Sequence, residues 1–267
     1  MSNKVKEYYN ENYEREWDRL ANPYSKVEFL STLYLIDKYF PKEGHIADIG
    51  SGPGRYSIQL LKKGYKVTLF ELSNKELDLA KETIEKENLK AESYICENAL
   101  NLHILPSNSF HAVLLMGPLY HVLDSSSREK ILNETYRILK PNGVAIIAYI
   151  NSFGILKAGV TEFSNEFEDI NNIYPYLKSQ EFSHEESFTE LYTTTPEDAL
   201  NEVKKTNFKV LSYAGAEGFL SGLSLKINEL FSSNPIAYNN LLQVSAETCE
   251  SPQYRDATEH LHIVVKK

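Results

Sequence analysis

The chain has 267 residues, 42% of them hydrophobic and 24% charged, which is the balance of a folded globular protein with core enough for one large domain. A formal net charge of -9 argues against a nucleic-acid-binding surface, because phosphate contacts need clustered Lys and Arg, and reads as a solvated acidic exterior. Cys96 and Cys249 lack metal-type spacing, residues 1–7 carry no apolar leader, and the apolar runs Ala112–Leu119 and Val144–Ile150 are too short to span a bilayer, so the expectation is a reduced, cytoplasmic protein.

Taken in order, residues 5–20 are polar and helical in pattern, with Tyr9, Tyr13 and Trp17 at i, i+4 and i+8 on one face. Such a stripe either packs the helix on the body or forms a lid over a ligand. After Asn22-Pro23, an amphipathic helix over Val27–Phe40 stops before Pro41. A strand–helix alternation follows. His45–Ile49 reads as a strand, Arg55–Lys63 as a helix ending at Gly64, and Lys66–Phe70 as a strand ending in Glu71. Ser73-Asn-Lys-Glu76 is a capping box whose helix carries Leu77, Ala80 and Ile84 on one face. Glu92–Cys96 and the nearly continuous apolar run Phe110–Met116 are further strands. Ser126-x-x-Glu129 caps a helix that ends in a turn at Lys140–Gly143, and Val144–Ile150 is a strand.

This alternation predicts a parallel doubly wound sheet with all strand C-termini on one edge. Residues 152–192 lack strong periodicity and read as an inserted cap. Thr195-Pro-Glu-Asp198 starts a helix, Phe208–Tyr213 and His260–Val265 are strands, and 219–250 holds one or two helices. The organisation is one domain over 1–267, with an N-terminal helical lid (1–40), a core (41–151), the cap (152–192) and a C-terminal part (193–267).

At the first strand's exit stands Asp48-x-Gly50-x-Gly52-x-Gly54. Three glycines in five residues let the chain turn sharply and approach a ligand with no Cβ in the way. The spacing is not the G-x-G-x-x-G of dinucleotide dehydrogenases, and no Gly-Lys-Ser/Thr marks a phosphate loop. Glu71, 21 residues after Gly50, ends the second strand, where an acid can take both hydroxyls of a ribose.

With these motifs the chain resembles the class I S-adenosylmethionine (SAM) dependent methyltransferases over roughly residues 1–150. Ile46–Gly54 is similar to the first family motif, Leu69-Phe-Glu71 to the second-strand acid and Glu97-Asn98-Ala99 to the turn after strand three. Phe110–Val122 is similar to strand four with its exit, and Leu139–Gly143 to the turn before strand five. The resemblance implies a Rossmann-like seven-stranded sheet in order 3-2-1-4-5-7-6, the last strand antiparallel. SAM is then the cofactor, S-adenosylhomocysteine the product, and no metal is expected. The implied cofactor residues are Asp48 toward the ammonium, Gly50, Ser51, Gly52 and Gly54 along the methionyl part, and Glu71 and Leu72 at the ribose. Asn98 and Ala99 would meet the adenine, and Met116 and Gly117 the methionyl group. His111 and Asn142, where relatives carry Asp and Gly, read as structural.

Methyl transfer needs acceptor, methyl and sulfur held in line with water excluded, and a base only when the acceptor must lose a proton. His121 and Tyr120, just after strand four, are the catalytic candidates. His121 is either a base or a hydrogen-bonded pocket residue. The expected acceptor is a small molecule methylated at N or O, held between the N-terminal helix (Tyr9, Tyr13, Trp17), the cap and the segment after Tyr213. Acids of the cap, Glu162, Glu166 or Asp169, would favour an amine if they faced it. No nucleic-acid or membrane partner is expected, and the chain reads as a monomer or homodimer. The alternatives are a non-catalytic SAM or nucleoside sensor and an NAD-linked oxidoreductase.

Overall fold

Two helices precede the sheet in this computed structural model, which describes residues 1–267. Helix α1 (Asn3–Ala21) is capped by Ser2, and its helical phase breaks at Asn12 (φ -114°, ψ 17°), whose side-chain amide donates to the Tyr8 carbonyl at 2.9 Å. Helix α2 (Ser25–Tyr39) stops at Phe40, which is extended because a residue before proline is pushed out of the helical region.

The expected alternation follows: β1 (His45–Ile49), α3 (Arg55–Lys62), β2 (Lys66–Glu71), α4 (Asn74–Lys86), β3 (Ser93–Cys96), β4 (Phe110–Leu115), α5 (Ser125–Ile138) and β5 (Leu139–Asn151). Three local expectations change. The cap of α5 is Asp124, not Ser126, because its carboxylate accepts from both the Ser127 N–H and the Ser126 hydroxyl at 2.8 Å. At α4, Ser73 Oγ accepts from the Glu76 N–H, but the Ser73 N–H goes to Glu71 Oε1, so Glu76 is not drawn back into a capping box. The Lys140–Gly143 turn is a bulge inside β5, opened between the pairs Phe110–Leu139 and Ala112–Val144, with Asn142 left-handed at φ 66°. His111 is structural there: its Nδ1 accepts from the His45 N–H at 2.9 Å.

Beyond β5 come α6 (Ser152–Glu162), a run of 3-10 turns, β6 (Gln180–Phe182), β7 (Leu191–Thr194), α7 (Pro196–Lys204), β8 (Lys209–Gly215), α8 (Ser224–Ser233), α9 (Pro235–Glu247), α10 (Pro252–Arg255) and β9 (His260–Lys266). The Thr195 cap of α7 forms as expected, with Oγ1 accepting from the Asp198 N–H at 3.2 Å.

The strands order as β3-β2-β1-β4-β5-β9-β8, with β9 antiparallel to both neighbours, so β8 and β9 fill the places expected of strands six and seven. The sheet has nine strands rather than seven. Within 152–192, the β6–β7 hairpin adds to the end of β5 through Ile150–Thr193 and Asn151–Thr194, a short extension that weak sequence periodicity concealed.

Residue alternation along the central strands divides the core. Ala47, Ile49, Val113, Leu115, Ala145 and Ile147 face α5 and α7, while Ile46, Ala112, Leu114, Val144 and Ile146 face α2, α3 and α4. Fully burying a Val, Leu or Ile contributes about 1.5–3 kcal/mol, so this double-sided filling fixes the sheet register. With β2 and β3 on one side of β1, and β4 and β5 on the other, the crossovers reverse between β1 and β4. The exits of those two strands therefore open a crevice, the switch point where such sheets bind ligands.

Candidate functional site

A cavity of about 140 Å³ lies over that crevice, roofed by α1 and α2. Along the sheet edge it runs from Glu71 at the end of β2 to His260 at the start of β9. Those strands are four steps apart, roughly 19 Å at the usual spacing between neighbours.

The glycine loop forms one wall. Gly50, Gly52 and Gly54 all have positive φ, at 77°, 51° and 83°. Their surroundings give them different work. A Cβ on Gly50 would fall 2.2 Å from the Met116 carbonyl oxygen, and one on Gly54 would press to 3.0 Å on Ala80 of α4. A Cβ on Gly52 would meet only Glu76 Oε2, at 3.8 Å, so this glycine leaves its face open to the cavity. Gly50 and Gly54 are thus fixed by close packing, Gly50 lining the cavity as well, and Gly52 leaves room on the cavity side.

Glu71 is buried and lines the cavity. Its Oε2 accepts from the Gly52 N–H and its Oε1 from the Ser73 N–H, both at 2.8 Å. Burial raises its pKa, opposed by those hydrogen bonds. A carboxylate has about four acceptor positions, so two remain for ligand hydroxyls. Ser51, Leu72, Ala99, Met116 and Gly117 also line the cavity, and the buried Ser51 Oγ has no partner in the protein. An open glycine face, an acid with spare acceptor capacity and an unpartnered hydroxyl fit a nucleoside–amino acid cofactor such as SAM.

Three expected cofactor residues stand elsewhere: Asp48, Asn98 and Gly54, the last packed on Ala80. Asp48 is fully buried beneath the loop and accepts from the Ser57 hydroxyl at 2.6 Å, leaving Oδ1 unpartnered. Burial pushes its pKa up to about 7. Asn98 does not reach the cavity wall: its amide donates to the Met1 carbonyl at 2.9 Å, and its oxygen accepts from the Leu100 N–H, capping the turn that follows β3. Glu97 and Ala99, its neighbours, do line the wall.

The aromatic stripe of α1 divides. Tyr9 lines the cavity, Trp17 packs on the core beside α2–α4, and Tyr13 turns outward to Glu14. The phase break at Asn12 explains this, because beyond it the inward positions are Glu16, Arg19 and Leu20. Tyr13 and Trp17 are therefore not lid residues. Neither the 152–192 segment nor residues 214–259 contribute to the lining. Glu162 accepts from Ser224, and Asp169 caps its own turn.

Tyr120 and His121 both line the cavity. His121 Nδ1 lies 2.8 Å from the Glu190 carbonyl, which can only accept, so Nδ1 carries the proton and Nε2 accepts from the Tyr9 hydroxyl at 2.8 Å. Burial pushes the His121 pKa down to about 4, and it is neutral near pH 7. The geometry leaves no lone pair free for a general base. With its proton committed to His121, the Tyr9 oxygen presents only acceptor capacity.

Sequence reasoning missed Glu16, Arg19, Glu28, Arg55, Tyr56, Glu76 and His260. The Glu16–Arg19 pair, at 2.8 Å, had an i,i+3 signal, but nothing local says which way it faces. Glu76 was hidden by its role in an apparent capping box. Its carboxyl pKa stands well above the usual range through burial, with Glu71 and Glu16 adding to it.

A family model described as a methyltransferase domain matches residues 46–143. The chain is 21% identical over 228 residues to the tRNA 5-carboxymethoxyuridine methyltransferase of Escherichia coli (strain K12), covering 85% of this chain and 81% of that one. It is 28% identical over 155 residues to the glycine/sarcosine N-methyltransferase of Parasynechococcus marenigrum (strain WH8102), covering 57% and 54%. Among solved structures, the fold matches the Burkholderia thailandensis 1,6-didemethyltoxoflavin-N1-methyltransferase at a TM-score of 0.59 and 12% identity, over 98% of this chain and 87% of that one.

Proposed function

The chain belongs to the class I SAM-dependent methyltransferases, and from that premise we propose that it methylates a small molecule, at nitrogen in preference to oxygen. The observation that carries this reading is the acid-rich lining of one cavity that spans both the glycine loop and the roof. Glu16, Glu28, Glu71, Glu76 and Glu97 face Arg19, Arg55 and His260. Buried carboxyls without cations are costly, and they favour cationic guests. The sulfonium and ammonium of SAM offset part of this excess, and an amine acceptor offsets more.

SAM supplies an activated methyl group on its sulfonium. When SAM is bound, Glu71 would hold the ribose, Gly52 and Ser51 would border the methionyl part, and Asp48 would act on the ammonium from beneath the loop. A cationic acceptor first yields one proton to a lining carboxylate, and Tyr9 then accepts a hydrogen bond from the neutral amine's N–H and orients its lone pair. His121 is a positioning residue that holds the Tyr9 proton. It does not act as a base, because protonating it within its buried site is unfavourable. The roof of α1 and α2 excludes water, so most of the rate enhancement comes from alignment.

The relatives include a tRNA-modifying enzyme and an amino-acid N-methyltransferase, so the test must separate them. Labelled SAM is offered with panels of small amines, phenols, carboxylic acids and unmodified tRNA. Label transfer to an amine supports the proposal. Transfer to tRNA alone, or to phenols or carboxylic acids but no amine, overturns it.

A further inference from the structure

We propose that Glu28, Glu217 and His260 form a binding site for a divalent transition-metal cation at the β9 end of the cavity. These residues come from α2, the turn after β8 and the first position of β9, so no sequence spacing announces them. One ligand atom from each lies within 4.8 Å of the other two. His260 Nδ1 is 2.7 Å from Glu217 Oε1 and 4.0 Å from Glu28 Oε2. With metal–ligand bonds of about 2.0–2.2 Å the ligand atoms of a four-coordinate ion stand roughly 3.4 Å apart, so the His260–Glu217 pair would open slightly and Glu28 would close in.

The surroundings point to a guest independently of the acids. His262 is fully buried, and its Nε2 makes no hydrogen bond, the nearest acceptor being Glu28 Oε1 at 3.5 Å. Its unpartnered nitrogen faces the Glu28 carboxylate, one of the three ligand groups. Glu217 is already oriented, since its Oε2 accepts from the His260 backbone N–H at 3.0 Å. Such outer contacts hold ligands in place before a metal arrives.

Glu28 and His260 line the cavity, giving an ion a path of entry and leaving one coordination position toward the acceptor. A set of imidazole nitrogen and two carboxylates suits Mn²⁺, Fe²⁺, Co²⁺ or Zn²⁺ better than Mg²⁺ or Ca²⁺, which take oxygen alone. When Nδ1 becomes a ligand, the proton it shares with Glu217 leaves to solvent.

The test is a titration of the chelator-treated full chain with Co²⁺, followed by visible absorption and calorimetry, without SAM or acceptor. Its failure therefore leaves the methyl-transfer reading untouched. One equivalent should bind with a nitrogen–oxygen spectrum, and Zn²⁺ should displace it. Affinity should fall at least tenfold in both Glu217→Gln and Glu28→Gln, the second being a milder change at the cavity wall. Folding of each variant is checked by S-adenosylhomocysteine binding. Absence of stoichiometric binding by the parent chain, or unchanged affinity in variants that still bind S-adenosylhomocysteine, overturns the proposal.

Discussion

The two halves of the cavity are built by different means. The wall formed by Gly50–Gly54, Glu71 and Met116–Gly117 comes from strand exits within one stretch of chain, and its shape is set by backbone conformation. The roof formed by Tyr9, Glu16, Arg19, Glu28, His121 and His260 gathers side chains from distant segments. A backbone-defined wall tolerates little variation in its glycines. A side-chain roof can change its guest without disturbing the fold, so acceptor choice resides there.

The largest effect should come from breaking the wall. Gly50→Ala must place a Cβ 2.2 Å from the Met116 carbonyl at a positive φ. The backbone strain alone is about 1–3 kcal/mol, and the overlap adds to it. Urea unfolding should show a lowered midpoint, and calorimetry should show SAM binding lost. Glu71→Ala comes next. Losing charge-assisted hydrogen bonds of about 1.5–3 kcal/mol should weaken SAM affinity by roughly 10- to 100-fold by calorimetry.

The roof should respond differently. Tyr9→Phe should leave SAM affinity unchanged and lower kcat about tenfold, the size of one neutral hydrogen bond. A parallel loss of SAM affinity would place Tyr9 in the wall instead.

His121 sharpens the contrast through pH. Its folded pKa is about 4, below the ordinary 6.5, so the unfolded chain binds the extra proton between those values. Its contribution is therefore present above pH 6.5 and is lost as pH falls toward 4, amounting to roughly 3 kcal/mol at most. Thermal melts from pH 4 to 7 should show stability rising less with pH, or falling more, in His121→Asn than in the parent chain. Asp48 has the opposite sign, its folded carboxyl pKa standing at about 7 against an ordinary 3.8. Its contribution is lost as pH rises from about 4 to 7 and opposes that of His121, so without cofactor the stability of Asp48→Asn should rise more with pH than that of the parent chain.

The same division explains what the sequence revealed. Strand alternation, the glycine loop and Glu71 are written in local pattern, whereas the sheet order came with the family resemblance that those motifs carry. Asp48 and Asn98 were placed by motif position, yet Ser57 and Met1 are nearer partners than the cavity, a tertiary fact. Tyr13 and Trp17 do not join Tyr9 at the cavity because Asn12 breaks the helical phase, and Trp17 packs on the body, the other reading of the stripe. Glu28 and His260 are separated by 232 positions, and only the assembled sheet brings them to one cavity.

A crystal structure of the S-adenosylhomocysteine complex tests the division of this cavity most directly. The expected result is ribose hydroxyls on Glu71, with the sulfur opening toward Tyr9 and Tyr120 and unfilled space remaining on the side of the cavity lined by Glu28 and His260. A ligand bound away from Glu71, or one filling the space beneath α2 so that no acceptor fits, would contradict it.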